Sequence, residues 1–464
     1  MNSDILKAKQ VLKNPFKMKI PDYVRAVMDV LSHNGFEVYA VGGCVRDSLL
    51  LKQPHDFDLT TSANPQQMKE AFCDFAVIET GISHGTLTVR SGGQNVEITT
   101  FRTDGKYTDH RRPDSVSFTT SIKEDLSRRD FTVNALAYND ESGLVDLFGG
   151  QDDLEKGVIR CVGDPDTRFE EDALRILRAL RFSARLGFSI EQKTAQSMIK
   201  KRELLKSISA ERVLSELSGI LCGKGQTVTE LLLQFRDVFA AVLPELSPCF
   251  DFDQKNPYHN YDVYTHIAYT VGFTNPRRET RFAALLHDVG KPSTFFTDEK
   301  GVGHFYGHPK VSADMAKNAL KRLKADNRLC KSVDTLVFYH DNDILEKKAS
   351  VKKMLIKTGE QDFFALCDLK KADRLAHSKG HRDISDIEAV EGMAREILKE
   401  NECLSKAQLK ISGRDLIVLG QKPGKRIGEI LDEIFESAVN GRVENDREAL
   451  LNLAKSIIER DAVK

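Results

Sequence analysis

"VGGCVRDSLLLKQPHDFDLTT", residues 41–61, decides how the amino-terminal part of the chain folds. The apolar run "FEVYAV" (36–41) meets Gly42-Gly43 and then "CVRDSLL" (44–50), whose apolar spacing is helical. That order predicts a strand, a tight turn and a short helix. A second predicted strand carries Asp56 and Asp58. Side chains two apart in a strand share a face, so the two acids project together while Phe57 and Leu59 turn inward. Carboxylates held side by side repel unless a cation or a shared proton lies between them. Oxygen-only ligation of that kind suits Mg²⁺, which binds through one or two carboxylates plus substrate phosphates. Backbone N–H groups around Gly43 can cradle a triphosphate, and Arg46 can pair with it. Glu97, between Val96 and Ile98 in "NVEITTFR" (95–102), is a candidate third acid on another strand. These are parts for in-line phosphoryl transfer assisted by two metals.

The whole chain sets bounds on that reading. With 464 residues, 41% of them apolar, it can bury two or more cores. A net charge of −1 excludes binding to nucleic acid through overall charge, though not through a local basic groove. Eight cysteines without a CxxC pair read as reduced thiols. No signal-length apolar core opens the chain, and no run approaches the roughly 18 apolar residues of a membrane span. A soluble, cytoplasmic protein without membrane contact is expected. "NPQQMKEAF" (64–72) reads as a capped helix, and after about residue 150 the pattern turns helical throughout. The expected layout is an α/β head over 20–150 and a helical neck over 151–255. A second helical domain over 256–380 and a helical tail over 381–464 follow.

"EDALR" (171–175) is predicted to lie on one helix, "RFEEDALRILRALRFSARLGF" (168–188), ending at Gly187. Asp172 and Arg175, three apart, would share a face. An ionised Asp only accepts hydrogen bonds and an Arg only donates them. Cytosine and adenine each show an amine donor beside a ring-nitrogen acceptor, whereas guanine and uracil show the reverse order. Such a pair accepts C and A and leaves polar groups unpaired against G and U, the strong form of discrimination.

The strings "VGGCVRD…DFDLTT", "RRDFTVNALAY" (128–138), "DLFGG" (146–150) and "EDALRILRALRF" (171–182) resemble class II tRNA nucleotidyltransferases, the CCA-adding enzymes. These are related to bacterial poly(A) polymerases within the polymerase-β-like superfamily. "SGRDLIVLGQKPGKRIGEIL" (412–431) resembles the family's tail. The resemblance implies a polymerase-β-like head with a five-stranded type of palm, a long all-α neck, and a body and tail that hold tRNA. It implies addition of C, C and A to the tRNA 3′ end from CTP and ATP, with Mg²⁺ on Asp56 and Asp58. Arg129 would contact the nucleotide and Asp130 and Asn134 would sit near its ribose; Arg178 and Arg181 would join the same pocket. Arg111 and Arg112, in the polar stretch "TDGKYTDHRRPDSV" (103–116), resemble the family's flexible loop, linked to the switch from C to A. Alternatives stay open. Asp130 can cap a helix through the N–H of Thr132 or Val133. Arg178, Arg181 and Arg185 can form a solvated face paired with Glu170 or Glu171. An A-adding enzyme or poly(A) polymerase would use the same scaffold.

"AALLHDVGKP" (283–292) places His287 beside Asp288; His266 precedes it, and His308, His340 and Asp373 follow. The order H…HD…H…H…D resembles the HD superfamily of metal-dependent phosphohydrolases. Imidazoles and carboxylates suit a transition metal. The resemblance implies such a metal, and either a scaffold or hydrolysis of phosphate esters or 2′,3′-cyclic phosphates. A phosphohydrolase with a non-catalytic head is the alternative from another class.

Overall fold

Val38, Tyr39, Ala40 and Val41 are all buried and form β1 (Val38–Val41), an interior strand of the head. The structure, a computed structural model, describes residues 16–82, 85–105, 115–256 and 260–462. It divides into two compact units after Pro244. In the first, β1 pairs antiparallel with β2 (Asp58–Thr61), and β2 runs parallel to β5 (Gln94–Thr100). With β3 (Ala76–Gly81), β4 (Thr86–Ser91), β8 (Leu136–Asn139) and β9 (Gly143–Asp146) they make a seven-stranded sheet, ordered β3-β4-β5-β2-β1-β8-β9. Between β5 and β8 the chain forms a separate hairpin from β6 (Arg102–Asp104) and β7 (Val116–Phe118). Seven strands replace the five expected. The outermost, β3 and β9, border solvent on one edge, and none of the four residues of β9 is fully buried, so alternation marks it weakly.

The helix Gly43–Leu49 follows the Gly-Gly turn as expected. The helix Pro65–Ala71 opens with a capping box: Asn64 Oδ1 accepts the N–H of Gln67 and Gln67 Oε1 accepts that of Asn64, both at 2.9 Å. Two corrections concern the segment after residue 150. The single helix expected over 168–188 is two, Pro165–Glu171 and Leu174–Leu186. The stretch read as wholly helical also holds a parallel two-residue pair, β10 (Val158–Ile159) with β11 (Ser189–Ile190). Gly187 ends the second helix at φ +75°, as its position predicts.

Among the described residues, the regular structure of the second unit is helical except for the hairpin of β12 (Phe296–Thr297) and β13 (Gly303–His304). Its tail helices Gly413–Val418, Lys425–Val439 and Arg447–Ala462 close over Leu416, Ile430, Ile434 and Leu450. All eight cysteines are free thiols. Among the described residues no helix is long and apolar enough to cross a membrane.

Candidate active site and a buried histidine–aspartate cluster

The register of the sheet builds the first site. Asp58 on β2 lies opposite Glu97 on β5, so their side chains leave the sheet on one face. Phe57 and Leu59 are buried, Asp56 and Asp58 exposed, which is the alternation read from sequence. The strand itself starts at Asp58, so Asp56 enters from the preceding loop rather than from a strand. Desolvation by the surrounding protein, together with Glu97 and Asp56, raises the Asp58 carboxyl pKa; Arg129 pulls it the other way. Repulsion of Asp58 by Glu97 and Asp56 is what a hard divalent cation would relieve, although the ligand oxygens of the three acids do not all lie within 4.8 Å of one another.

Gly42, at φ +72° and ψ −121°, turns the chain from β1 into the helix. A Cβ there would lie 3.1 Å from Arg129 Nη1 and 3.6 Å from the Asn134 carbonyl oxygen, so glycine lets the turn and Arg129 meet. Arg46 is buried. It donates to Asp47 Oδ1 (Nε, 2.8 Å) and to Asn134 Oδ1 (Nη1, 2.5 Å). Asn134 in turn donates to Asp130 Oδ1 (3.1 Å), and Arg178 reaches Asp130 Oδ2 through Nε (2.8 Å) and Nη2 (2.6 Å). The guanidiniums of Arg46, Arg178 and Arg181 lie 5.3, 5.3 and 4.7 Å from the centroid of the Phe182 ring. Burial pushes the Asp130 carboxyl up, and Arg178 and Asn134 more than reverse it, holding it below the usual range.

The structure thus brings Arg46, Asn134, Asp130 and Arg178 into one chain of hydrogen bonds. Asp130 caps neither Thr132 nor Val133; it accepts the N–H of Phe131 at 2.8 Å. Arg178 and Arg181 pair with Asp130 and Glu216, not with Glu170 or Glu171, and Arg185 is exposed. Two participants were not read from sequence. Phe182 looks like any apolar helix position. Asp125, fully buried, accepts from Arg128 (2.7 and 3.0 Å) and Arg129 (3.4 Å), and its spacing of four before Arg129 was the available signal.

Asp172 and Arg175 do not share a helix face. Asp172 lies between the two helices at φ −136°, its Oδ1 taking the N–H of Leu174 (3.1 Å) and its Oδ2 facing Arg212 (3.3 Å). Arg175 donates to Glu171 (2.6 Å) and to the carbonyls of Arg168 (3.1 Å) and Arg128 (3.0 Å). Arg111 and Arg112 lie outside the described residues.

In the second unit His266, His287, Asp288, His308, His340 and Asp373 converge as their order predicted. Asp288 Oδ2 lies 3.2 Å from His287 Nε2 and 3.6 Å from His266 Nε2. Its Oδ1 lies 3.3 Å from His308 Nε2 and 3.6 Å from His340 Nε2. Asp373 Oδ1 is 2.7 Å from His266 Nε2. Nδ1 of His287, His308 and His340 lies 2.8, 2.9 and 2.7 Å from the carbonyl three residues earlier. A carbonyl only accepts, so each Nδ1 carries a proton and each Nε2 is the nitrogen turned toward Asp288, the position a metal ligand would use. Both Asp288 oxygens and His287 Nε2 are buried without a hydrogen bond. Burial opposes charge on His287, but Asp288 and Asp373 outweigh it and push its pKa up to about 10. Sequence reasoning missed two neighbours, His377 (3.7 Å from Asp373) and Lys291 (2.7 Å from Asp288). Spacings of four and three from named acids could have found both.

A sheet that aligns two carboxylates beside a glycine turn, followed by an arginine-lined helix, defines a polymerase-β-like nucleotidyltransferase. Residues 38–160 match the poly A polymerase head domain and 187–250 the probable RNA and SrmB-binding site of polymerase A. Residues 297–454 match the putative tRNA nucleotidyltransferase domain 2. The chain is 37% identical to the CCA-adding enzyme of Lactobacillus helveticus over 93% of its own length and 97% of that protein's. It is 35% identical to that of Ligilactobacillus salivarius, over 95% and 98%. Among solved structures it resembles the Bacillus stearothermophilus CCA-adding enzyme in complex with CTP. That likeness has a TM-score of 0.67 at 27% identity, over 96% of this chain and 100% of the other. The chain belongs to the CCA-adding enzyme family, and is a nucleotidyltransferase.

Proposed function

We propose that this chain adds C, C and A in turn to the 3′ end of tRNA from CTP and ATP, releasing pyrophosphate, without a nucleic-acid template. The alignment of Asp58 with Glu97 beside the Gly42-Gly43 turn carries this reading. Asp56, Asp58 and Glu97 would hold Mg²⁺, which supplies Lewis acidity toward the 3′-hydroxyl and the phosphates. Gly43, Arg46 and Arg129 seat the triphosphate. Asp130 and Asn134 face the ribose, where bonding to a 2′-OH separates ribonucleotides from deoxyribonucleotides. Asp172 and Arg175 read the base edge, with Arg178 and Arg181 closing the pocket. Purified chain with CTP, ATP, Mg²⁺ and tRNA lacking its 3′ end should extend that tRNA by three residues. With CTP alone it should add two, which an A-specific enzyme would not. Asp58→Asn should lower extension more than about 100-fold, because even partners behind a metal ligand count for about 10–100-fold. Undiminished extension by that variant would defeat the assignment.

The second unit supports a second reading, as a metal-dependent phosphohydrolase site. Its buried Asp288 carboxylate, paired with Lys291 through one oxygen, faces two separate sets of imidazoles, a donor arrangement that fits transition metals sharing Asp288. Opening of a 2′,3′-cyclic phosphate by water to a phosphomonoester, or release of phosphate from a terminal monoester, lost in His287→Ala while extension persists, is the expected behaviour.

A further inference from the structure

The hairpin of β12 and β13 carries aromatic residues on both faces, and only one face is used by the core. Phe295 and Phe305 point inward: Phe295 packs on Phe252 (centroids 5.2 Å apart) and on Phe305 (5.4 Å), and Phe305 contacts the His308 ring (6.5 Å). Gly303 allows this seating, since a Cβ there would fall 2.2 Å from the Gln254 carbonyl oxygen. The alternate residues face outward. Phe296 lies directly across the pair from His304, and Tyr306 follows His304 on the same face. The three rings lie 5.3, 5.5 and 5.5 Å apart, centroid to centroid, with interplanar angles of 28°, 16° and 43°. Phe296 is 45% and Tyr306 75% exposed.

The hairpin is held by Asp298, which accepts the N–H groups of Lys300 and Val302 (both 2.9 Å) and meets His304 Nε2 at 3.0 Å. The outward rings are therefore preset, and the inner face does not need them. Exposed Lys300 in the hairpin turn and Lys310 in the first turn of the next helix flank the rings in sequence. Three clustered rings at 16–43° to one another, an imidazole among them, with exposed lysines on either side in sequence, match a planar base on a phosphate backbone better than an apolar protein surface.

We propose that Phe296, His304 and Tyr306 form a stacking platform for an unpaired RNA base. The proposal rests on the reading that this chain takes RNA as substrate, and adds a contact that neither the polymerase site nor the histidine–aspartate cluster supplies. The test compares full-length wild type, the Phe296→Ala/Tyr306→Ala double variant and the ring-preserving Phe296→Tyr and Tyr306→Phe variants. All are exposed positions, and thermal unfolding checks that each is folded. The probes are fluorescein-labelled single-stranded RNA and a blunt RNA duplex of equal length, read by anisotropy. Loss of one base–aromatic stack weakens binding by about fivefold at least. The double alanine variant should bind the single strand at least about fivefold more weakly and the duplex unchanged, with the ring-preserving variants at wild-type level. Equal single-strand binding by wild type and double alanine variant overturns the platform, as does an equal loss on the duplex. So does a wild-type dimer that the alanine variant dissolves, since a second copy would then be the occupant. CTP/ATP extension by wild type, run separately, tests the polymerase reading and leaves the binding ratio untouched.

Discussion

Replacing Asp130 by Asn tests whether the hydrogen-bonded chain from Arg46 to Arg178 is a unit. The carboxylate of Asp130 is buried and takes four hydrogen bonds: from the Phe131 N–H, from Asn134 Nδ2, and from two nitrogens of Arg178. Removing one partner of a fully buried ion pair costs about 3–5 kcal/mol. The Arg178 side chain is 34% exposed, and exposed pairs count for only about 0.2–1 kcal/mol. The structure lies between these limits, so a coupling of about 2 kcal/mol is expected from a cycle of Asp130→Asn, Arg178→Met and the double variant. For a unit of this size that is a shift of about 4–8 °C in Tm. The chain has no Trp, so unfolding is followed by circular dichroism. The folded Asp130 pKa lies below its unfolded value, because Arg178 and Asn134 outweigh the effect of burial. Its contribution is therefore fully present above the unfolded pKa of about 3.9 and is lost as pH falls through the lower folded one. The cycle should show its full coupling at pH 7 and a shrinking one below about pH 4. A coupling under about 0.5 kcal/mol at pH 7, the additivity error of independent sites, refutes the reasoning.

Gly42→Ala places a Cβ on a backbone at φ +72° and 3.1 Å from Arg129 Nη1. Strain of about 1–3 kcal/mol should lower Tm, and displacement of Arg129 should raise KM for CTP; unchanged values of both count against the close approach. Asp415 accepts from the Ser412 N–H, Arg447 and the Ser412 hydroxyl, which hold its pKa at about 2. A carboxyl titration by NMR should find it there, and a value near the ordinary 3.9 contradicts the cap. Depressed in this way, Asp415 stabilises the tail above the unfolded pKa and loses that effect as pH falls toward 2. In the histidine–aspartate cluster, a His308→Ala/His340→Ala variant should bind one transition-metal ion fewer per chain than wild type by elemental analysis. Asp288→Ala should bind fewer still, and equal contents in all three contradict a shared Asp288.

Much of the candidate site in the head was legible because it depends on alternation and on glycine, both local properties. Asp56-Phe57-Asp58-Leu59 announces which side chains are buried, and Gly42-Gly43 announces a turn that residues with a Cβ resist. The placement of Glu97 followed from the same alternation, but its register opposite Asp58 did not, because a parallel neighbour is chosen by the whole sheet. The histidine–aspartate cluster was legible for another reason. The order H…HD…H…H…D resembles that of the HD phosphohydrolases, and such an order can be read whatever the distances between its members. His377 and Lys291 did not stand out, since single polar residues on helices are common.

The break at Asp172 was hidden by the very signal that identifies helices. Phe169, Ala173, Ile176, Leu177 and Leu180 are all buried, and their spacing crosses the joint without a fault, because both helices bury the same side. The contrary signal is Asp172 itself. A short acceptor side chain competes with the helix for backbone N–H groups, and here it takes the one at Leu174. The acceptor and the donor proposed to read a base are therefore fixed by separate anchors. Asp172 is held by the first turn of the second helix and by Arg212, and Arg175 by Glu171 and two carbonyls. Helical spacing of three would have tied the pair rigidly together. With the joint between them, their separation depends on the torsions of Asp172 and Ala173 and on whether a base can draw Arg175 away from Glu171.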